Sequence, residues 1–199
     1  MSKFFIYLVI IALTFNLLKA VNTDSCKTIN IYKSAIIPLS LIGFGVAVNK
    51  SDFEKRVRKD IRNFVGNDFR THIDDYLTVV PVVEMYTADA LGVKSLNHWF
   101  DQSKYLFMSN LLSSTITASL KIITKKSRPE GEDDSFPSGH STFAFTNAAV
   151  LFNEFNDTSP YLAYSGYLVS TSVGLLRMMN DRHWLSDVLV GAGIGIIST

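Results

Sequence analysis

Apolar positions along this chain gather into blocks divided by short polar stretches. "MSKFFIYLVIIALTFNLLKA" fills residues 1–20, a polar stretch follows over 21–33, and "SAIIPLSLIGFGVAV" over 34–48 is apolar again. Phe53, Val57, Ile61, Val65 and Phe69 then recur every fourth residue, which marks one face of a helix. Further apolar segments lie near 77–92, 105–123, 140–154, 161–177 and 184–198, and "NEFNDTSP" reads as a turn between two of them. No run alternates with period two for long enough to make a strand. The pattern predicts an all-α fold, a helical bundle of about six helices.

Residues 1–20 begin with a lysine ahead of the apolar run and end on Ala20, the signature of an export signal. An uncleaved anchoring helix fits the same residues, and both readings point to the cell envelope. The expected layout is thus a signal or anchor over 1–20, a polar linker over 21–33 and one helical domain over 34–199. Segments of 15 to 17 residues cover roughly 24 Å. A hydrocarbon core of about 30 Å ordinarily takes around 20 apolar residues. "YLFMSNLLSSTITASL", with four serines and two threonines, is also polar for a span. Short spans and a bundle seated at the membrane surface both remain open. The stripe from Phe53 to Phe69 carries a net positive set of polar neighbours, so it fits a helix packed on a core or one lying on anionic lipid.

Composition adds little to this picture. The 199 residues are 47% hydrophobic and 19% charged, between a soluble globule and a polytopic membrane protein. A net charge of +1, without a basic block interleaved with aromatics, argues against nucleic acid. Cys26 is the single cysteine, which excludes an internal disulfide framework.

The chemistry is concentrated at helix ends. The segment from about 105 runs into Lys121, Lys125, Lys126 and Arg128. A short acidic loop leads to "PSGH" (Pro137 to His140), which opens the next helix at that same end. The chain returns through 161–176 to Arg177, turns, and leaves with His183 and Asp187. Up-down-up-down order alone therefore gathers Lys121, Arg128, Ser138, His140, Arg177, His183 and Asp187. Three fixed cations can neutralise a phosphoryl group, and guanidinium forks can each hold two of its oxygens. Ser138 suits an N-cap, and Gly139 lets backbone N–H groups approach an anion. His183 and Asp187, four apart, share a helical face, so the carboxylate can orient one ring nitrogen and leave the other free to attack. Each feature alone has a plainer meaning: "HxxxD" also fits a surface pair or two metal ligands, and Lys125 and Lys126 are assigned to the helix dipole.

"KIITKKSRP" (Lys121 to Pro129), "PSGH" and "RMMNDRHWLSD" (Arg177 to Asp187) together resemble the three signature motifs of the type 2 phosphatidic acid phosphatase family. Its superfamily also contains bacterial acid phosphatases and vanadium haloperoxidases. The resemblance runs from about 75 to 199 and implies an acid phosphatase/haloperoxidase-like fold and metal-independent hydrolysis of a phosphate ester. It implies His183 as nucleophile forming a phosphohistidine, with Asp187 orienting it and His140 as general acid and base. It implies Lys121, Arg128, Ser138, Gly139 and Arg177 as the phosphate-binding set. No metal or cofactor is expected, and vanadate enters only if the chain is a haloperoxidase. The expected partners are a phosphorylated lipid (phosphatidic acid, polyprenyl diphosphate or lipid A type) and the membrane, with the site on the extracytoplasmic side. A haloperoxidase and a non-catalytic phosphate-binding membrane protein are the alternatives. Leu176 stands where the family often has serine, which removes one possible hydrogen bond, and "GAGIGIIST" leaves a brief last helix.

Overall fold

The computed structural model describes residues 31–199. The expected signal or anchor over 1–20, and the linker up to residue 30, lie outside the described residues. Residues Ala35–Thr199 form one compact unit. The described residues are helical throughout, without a strand: α1 (Ile31–Val48), α2 (Asp52–Val65), α3 (Ile73–Leu77), α4 (Val80–Ala90), α5 (Trp99–Thr124), α6 (Gly139–Phe155), α7 (Pro160–Met179) and α8 (Leu185–Ile197). The all-helical expectation holds.

At the centre is α6, packed against α5, α7 and α8. Its small and apolar side chains close the core: Ala144, Ala148, Leu151 and Phe155 are fully buried, joined by Met85 of α4 and Ala163 of α7. Helix α8 seats on α6 through two glycines one turn apart. A Cβ at Gly191 would stand 2.7 Å from the Ser138 carbonyl, and one at Gly195 would stand 2.6 Å from that of Thr142. Small residues let backbones approach this closely. The "GAGIG" run therefore fixes how near the start of α8 comes to the start of α6.

Two helices bury polar side chains that the sequence pattern would place outside. In α5 some of the hydroxyl side chains face inward: Ser109, Ser113 and Thr117 are buried, whereas Ser114, Thr115 and Ser119 are exposed. Ser113 and Thr117 meet Thr146 and Thr142 of α6 at 3.0 and 3.2 Å. Phe107, Met108, Leu111, Ile122 and Ile123 are exposed instead. The helix is 26 residues long and is long and apolar enough to cross a membrane, with most of that stretch unburied. On the outer face Thr115 and Ser119 donate to the Leu111 and Thr115 carbonyls one turn back, at 2.7 and 2.8 Å, so those hydroxyls are met within the helix.

In α2 the every-fourth-residue apolar stripe is not the buried face. Glu54 and Arg62 are buried and Arg58 is half-buried, whereas of the stripe Phe53 is exposed and Val57, Ile61, Val65 and Phe69 are half-buried. Ser51 caps the helix by accepting from the Glu54 N–H at 3.2 Å, and Gly66 ends it at φ 86°. Helices α1 and α2 meet at 94° across a short break.

Candidate active site

The last turn of α5, the first of α6, the last of α7 and the start of α8 converge, as the alternating order of helices requires. The Ser138 N–H donates to the Asp187 carbonyl at 3.0 Å, which ties the second motif to the third. The Trp184 indole N–H donates to the Ser127 carbonyl at 2.9 Å, which ties the first motif to the third. Lys121 and Gly139 line one cavity of about 170 Å³ with Ser114, Thr117, Ala118 and Thr142. Ser138 is the N-cap of α6 and accepts from the Ser141 N–H at 3.4 Å.

His183 is almost wholly buried ahead of α8, with Nδ1 3.6 Å from Asp187 Oδ2, just beyond hydrogen-bond distance. That nitrogen has no other partner. Burial foremost, with Arg177 and Lys121 adding positive charge, pushes His183 down to about 4 although Asp187 opposes the shift. The ring is therefore neutral at neutral pH and keeps a nitrogen lone pair. Asp187 is held from several directions. Its Oδ2 accepts from Ser135 Oγ and from the Trp184 N–H at 2.9 Å, and its Oδ1 accepts from Lys126 Nζ at 2.9 Å.

Lys126 corrects the sequence reading. It does not complement the α5 dipole; it is buried, and its ammonium also reaches Ser186 Oγ at 2.7 Å and Glu54 Oε1 at 3.4 Å. The cause lies one residue earlier. Lys125 caps α5 in the left-handed region at φ 43° and is itself exposed. That reversal turns the next side chain inward. Glu54 completes the arrangement from α2 by accepting the Ser186 N–H at 2.9 Å.

The cationic residues are each engaged by an acidic group or carbonyl. Lys121 Nζ donates to the Asp134 carbonyl. Arg128 Nη1 pairs with Glu132 at 2.8 Å. Arg177 Nη1 pairs with Asp74 of α3 at 2.8 Å. The Nε groups of Arg128 and Arg177 are buried without any partner. His140, in the first turn of α6, places Nε2 2.8 Å from Asp75 Oδ1. Its proton affinity is lowered by burial and then by Arg177, against Asp75 and Asp74. Arg177 thus acts on both imidazoles.

The structure brings together all the residues expected at the site: Lys121, Arg128, Ser138, Gly139, His140, Arg177, His183 and Asp187. Sequence reasoning passed over Glu54, Asp74, Asp75, Lys126 and Ser135. "DD" at 74–75 was a visible signal, since two adjacent carboxylates opening a short helix face different neighbours; Ser135 offered none. Among the described residues, no group of three or more His, Cys, Asp or Glu side chains is placed to hold a metal ion.

Residues 114–199 match the PAP2 superfamily model. Over that part the chain is type 2 phosphatidic acid phosphatase-like. A Lipid A 1-phosphatase from Porphyromonas gingivalis is 31% identical to this chain over 144 residues, 70% of the chain. The chain spans about a third of that relative's length, 32%. Among solved structures, Aquifex aeolicus LpxE superposes with a TM-score of 0.51 at 24% identity, covering 70% of this chain and 90% of that one. A transmembrane PAP2 type phosphatidylglycerolphosphate phosphatase from Bacillus subtilis gives a TM-score of 0.51 at 17% identity, covering 81% and 92%. Both share the PAP2 fold with this chain.

Proposed function

We propose that the chain is a membrane-embedded lipid phosphatase that hydrolyses a phosphate monoester or diphosphate without a metal, through a phosphohistidine at His183. The observation that carries this reading is the pair of buried, unpartnered guanidinium N–H groups on Arg128 and Arg177, beside a neutral buried imidazole. Unsatisfied buried donors are costly, and a tetrahedral oxyanion supplies acceptors to both arginines together. The neutral His183 then attacks phosphorus through Nε2. Its Nδ1–H turns toward Asp187, whose charge stabilises the ring as it becomes positive. Lys121 and the free N–H groups at the start of α6 spread the charge of the transition state. His140 gives a proton to the leaving oxygen and then takes one from water.

The apolar outer face of α5 supports a lipid over a soluble ester, and the likeness to a Lipid A 1-phosphatase supports a glycolipid 1-phosphate among lipids. The site faces away from the cytoplasm in this reading. Incubation of the full chain in mixed micelles with lipid A, phosphatidic acid and a soluble aryl phosphate tests it. Lipid should be dephosphorylated at the highest kcat/KM, and His183→Ala should lower turnover by more than about 10³-fold. Preference for the soluble ester would remove the lipid assignment, and unchanged turnover in the variant would remove the nucleophile.

A further inference from the structure

The sequence "THIDDY" at 71–76 belongs to none of the three motifs, yet both of its carboxylates reach the site. Asp74 is buried and holds Arg177. Asp75 is half-exposed on the side chain and holds His140 through Nε2 at 2.8 Å, while its other oxygen stands 3.4 Å from Nδ1 of the exposed His72. His140 and His183 are therefore each matched with a carboxylate of their own, through opposite ring nitrogens. His183 meets Asp187 through Nδ1, and His140 meets Asp75 through Nε2.

We infer that Asp75 is the positioning residue of His140, resting on the phosphatase reading above: by holding Nε2–H it makes Nδ1 the nitrogen that exchanges protons with substrate and water. The steps then balance. As the His183 Nε2–P bond forms and the bond from phosphorus to the leaving oxygen breaks, the Nδ1–H proton passes to that oxygen. Neutral His140 keeps its Nε2–H on Asp75. Water attacking the phosphohistidine then loses a proton to Nδ1 as the N–P bond breaks, which restores the imidazolium. The charged groups around His140 divide by element. Asp75 and Asp74 of α3 favour the imidazolium, and Arg177 of α7 disfavours it. His72, just ahead of α3, faces the other oxygen of Asp75, and Arg177 Nη1 also stands 3.9 Å from Asp75 Oδ1. Burial and Arg177 prevail, so the ring binds its proton less readily than a free imidazole, and Asp75 keeps more of the acid form than it would otherwise hold.

Asp75→Asn tests this with little risk to folding, because the side chain is half-exposed and outside the core. The pH dependence of kcat should lose its alkaline limb about one unit earlier than in wild type, with KM changed less than about twofold. Asp75→Glu should recover most of the limb. Independently of turnover, ring-¹⁵N spectra of the full chain report the same pair; four histidines make assignment by single substitution practical. The His140 midpoint should fall by about one unit in Asp75→Asn, and its Nε2–H tautomer should lose its bias. An unshifted limb together with an unshifted His140 midpoint overturns the inference. A shifted midpoint in a protein that hydrolyses no phosphate ester leaves the pair standing and defeats the phosphatase reading instead.

Discussion

His183 Nδ1 stands 3.6 Å from the carboxylate that would orient it and has no other partner. A neutral ring tolerates that separation, whereas a positively charged ring does not. This separation therefore favours the lone pair, and in the proposed reaction the ion pair tightens only as charge develops. The same burial has a consequence for stability. Folding moves His183 from its ordinary value near 6.5 to about 4. Between those values the unfolded chain binds a proton that the folded chain refuses, so stability is full above 6.5 and drains away as pH falls toward 4. The loss is roughly 3 kcal/mol over that window. Thermal unfolding in detergent should show wild type losing midpoint relative to His183→Gln between pH 7 and pH 4.5. Parallel curves would mean that the imidazole is not held neutral by the fold.

At the scale of elements, α2 ties α1 to the loop that carries His183. Glu54, Arg58 and Arg62, one turn apart, contact Ser186, Asp181 and the Met179 carbonyl at 2.9, 2.7 and 2.7 Å. Glu54 also shares Lys126 with Asp187, so its removal leaves a buried ammonium and a backbone N–H short of an acceptor. Breaking such a buried arrangement costs about 3–5 kcal/mol. Glu54→Ala should lower the melting midpoint sharply and reduce turnover, while Phe64→Ser, on the exposed face, should change stability by less than about 0.5 kcal/mol in detergent. Equal losses would show that the outward apolar side chains of α2 hold it as strongly as its charged face does. This helix also shows what a sequence reveals and what it hides. The register was legible, because four-residue spacing of Phe53, Val57 and Ile61 fixes a helix whichever way it faces. The direction was not, because burial of the charged stripe depends on partners more than a hundred residues away. His183, Asp187 and Ser138 were legible because short loops and helix order force their ends together. Lys126 was not, because only the left-handed turn at Lys125 sends it inward.

For the whole molecule, α5 has two duties: its outer face carries Phe107, Met108 and Leu111, and its last turn delivers Lys121 to the site. Its 26 residues extend about 39 Å, more than the roughly 30 Å of a hydrocarbon core. If α5 crosses the bilayer, Lys121 falls at the interface, at the depth where a lipid presents its phosphate, and the apolar part of the substrate never has to leave the membrane. A charge halfway along the outer face opposes this directly. Leu111 is 58% exposed and so makes little contribution to the core. Leu111→Arg should cost about 2.5–3.5 kcal/mol for insertion and leave folding in detergent near wild type. The variant should be released from membranes by alkaline extraction more readily than Leu111→Ala. In bilayers it should also lose lipid turnover, while in detergent it should hydrolyse a soluble ester as wild type does. Retention in the membrane equal to that of the alanine variant would mean that α5 lies elsewhere, and the lipid would then have to reach Lys121 by a route that this helix does not provide.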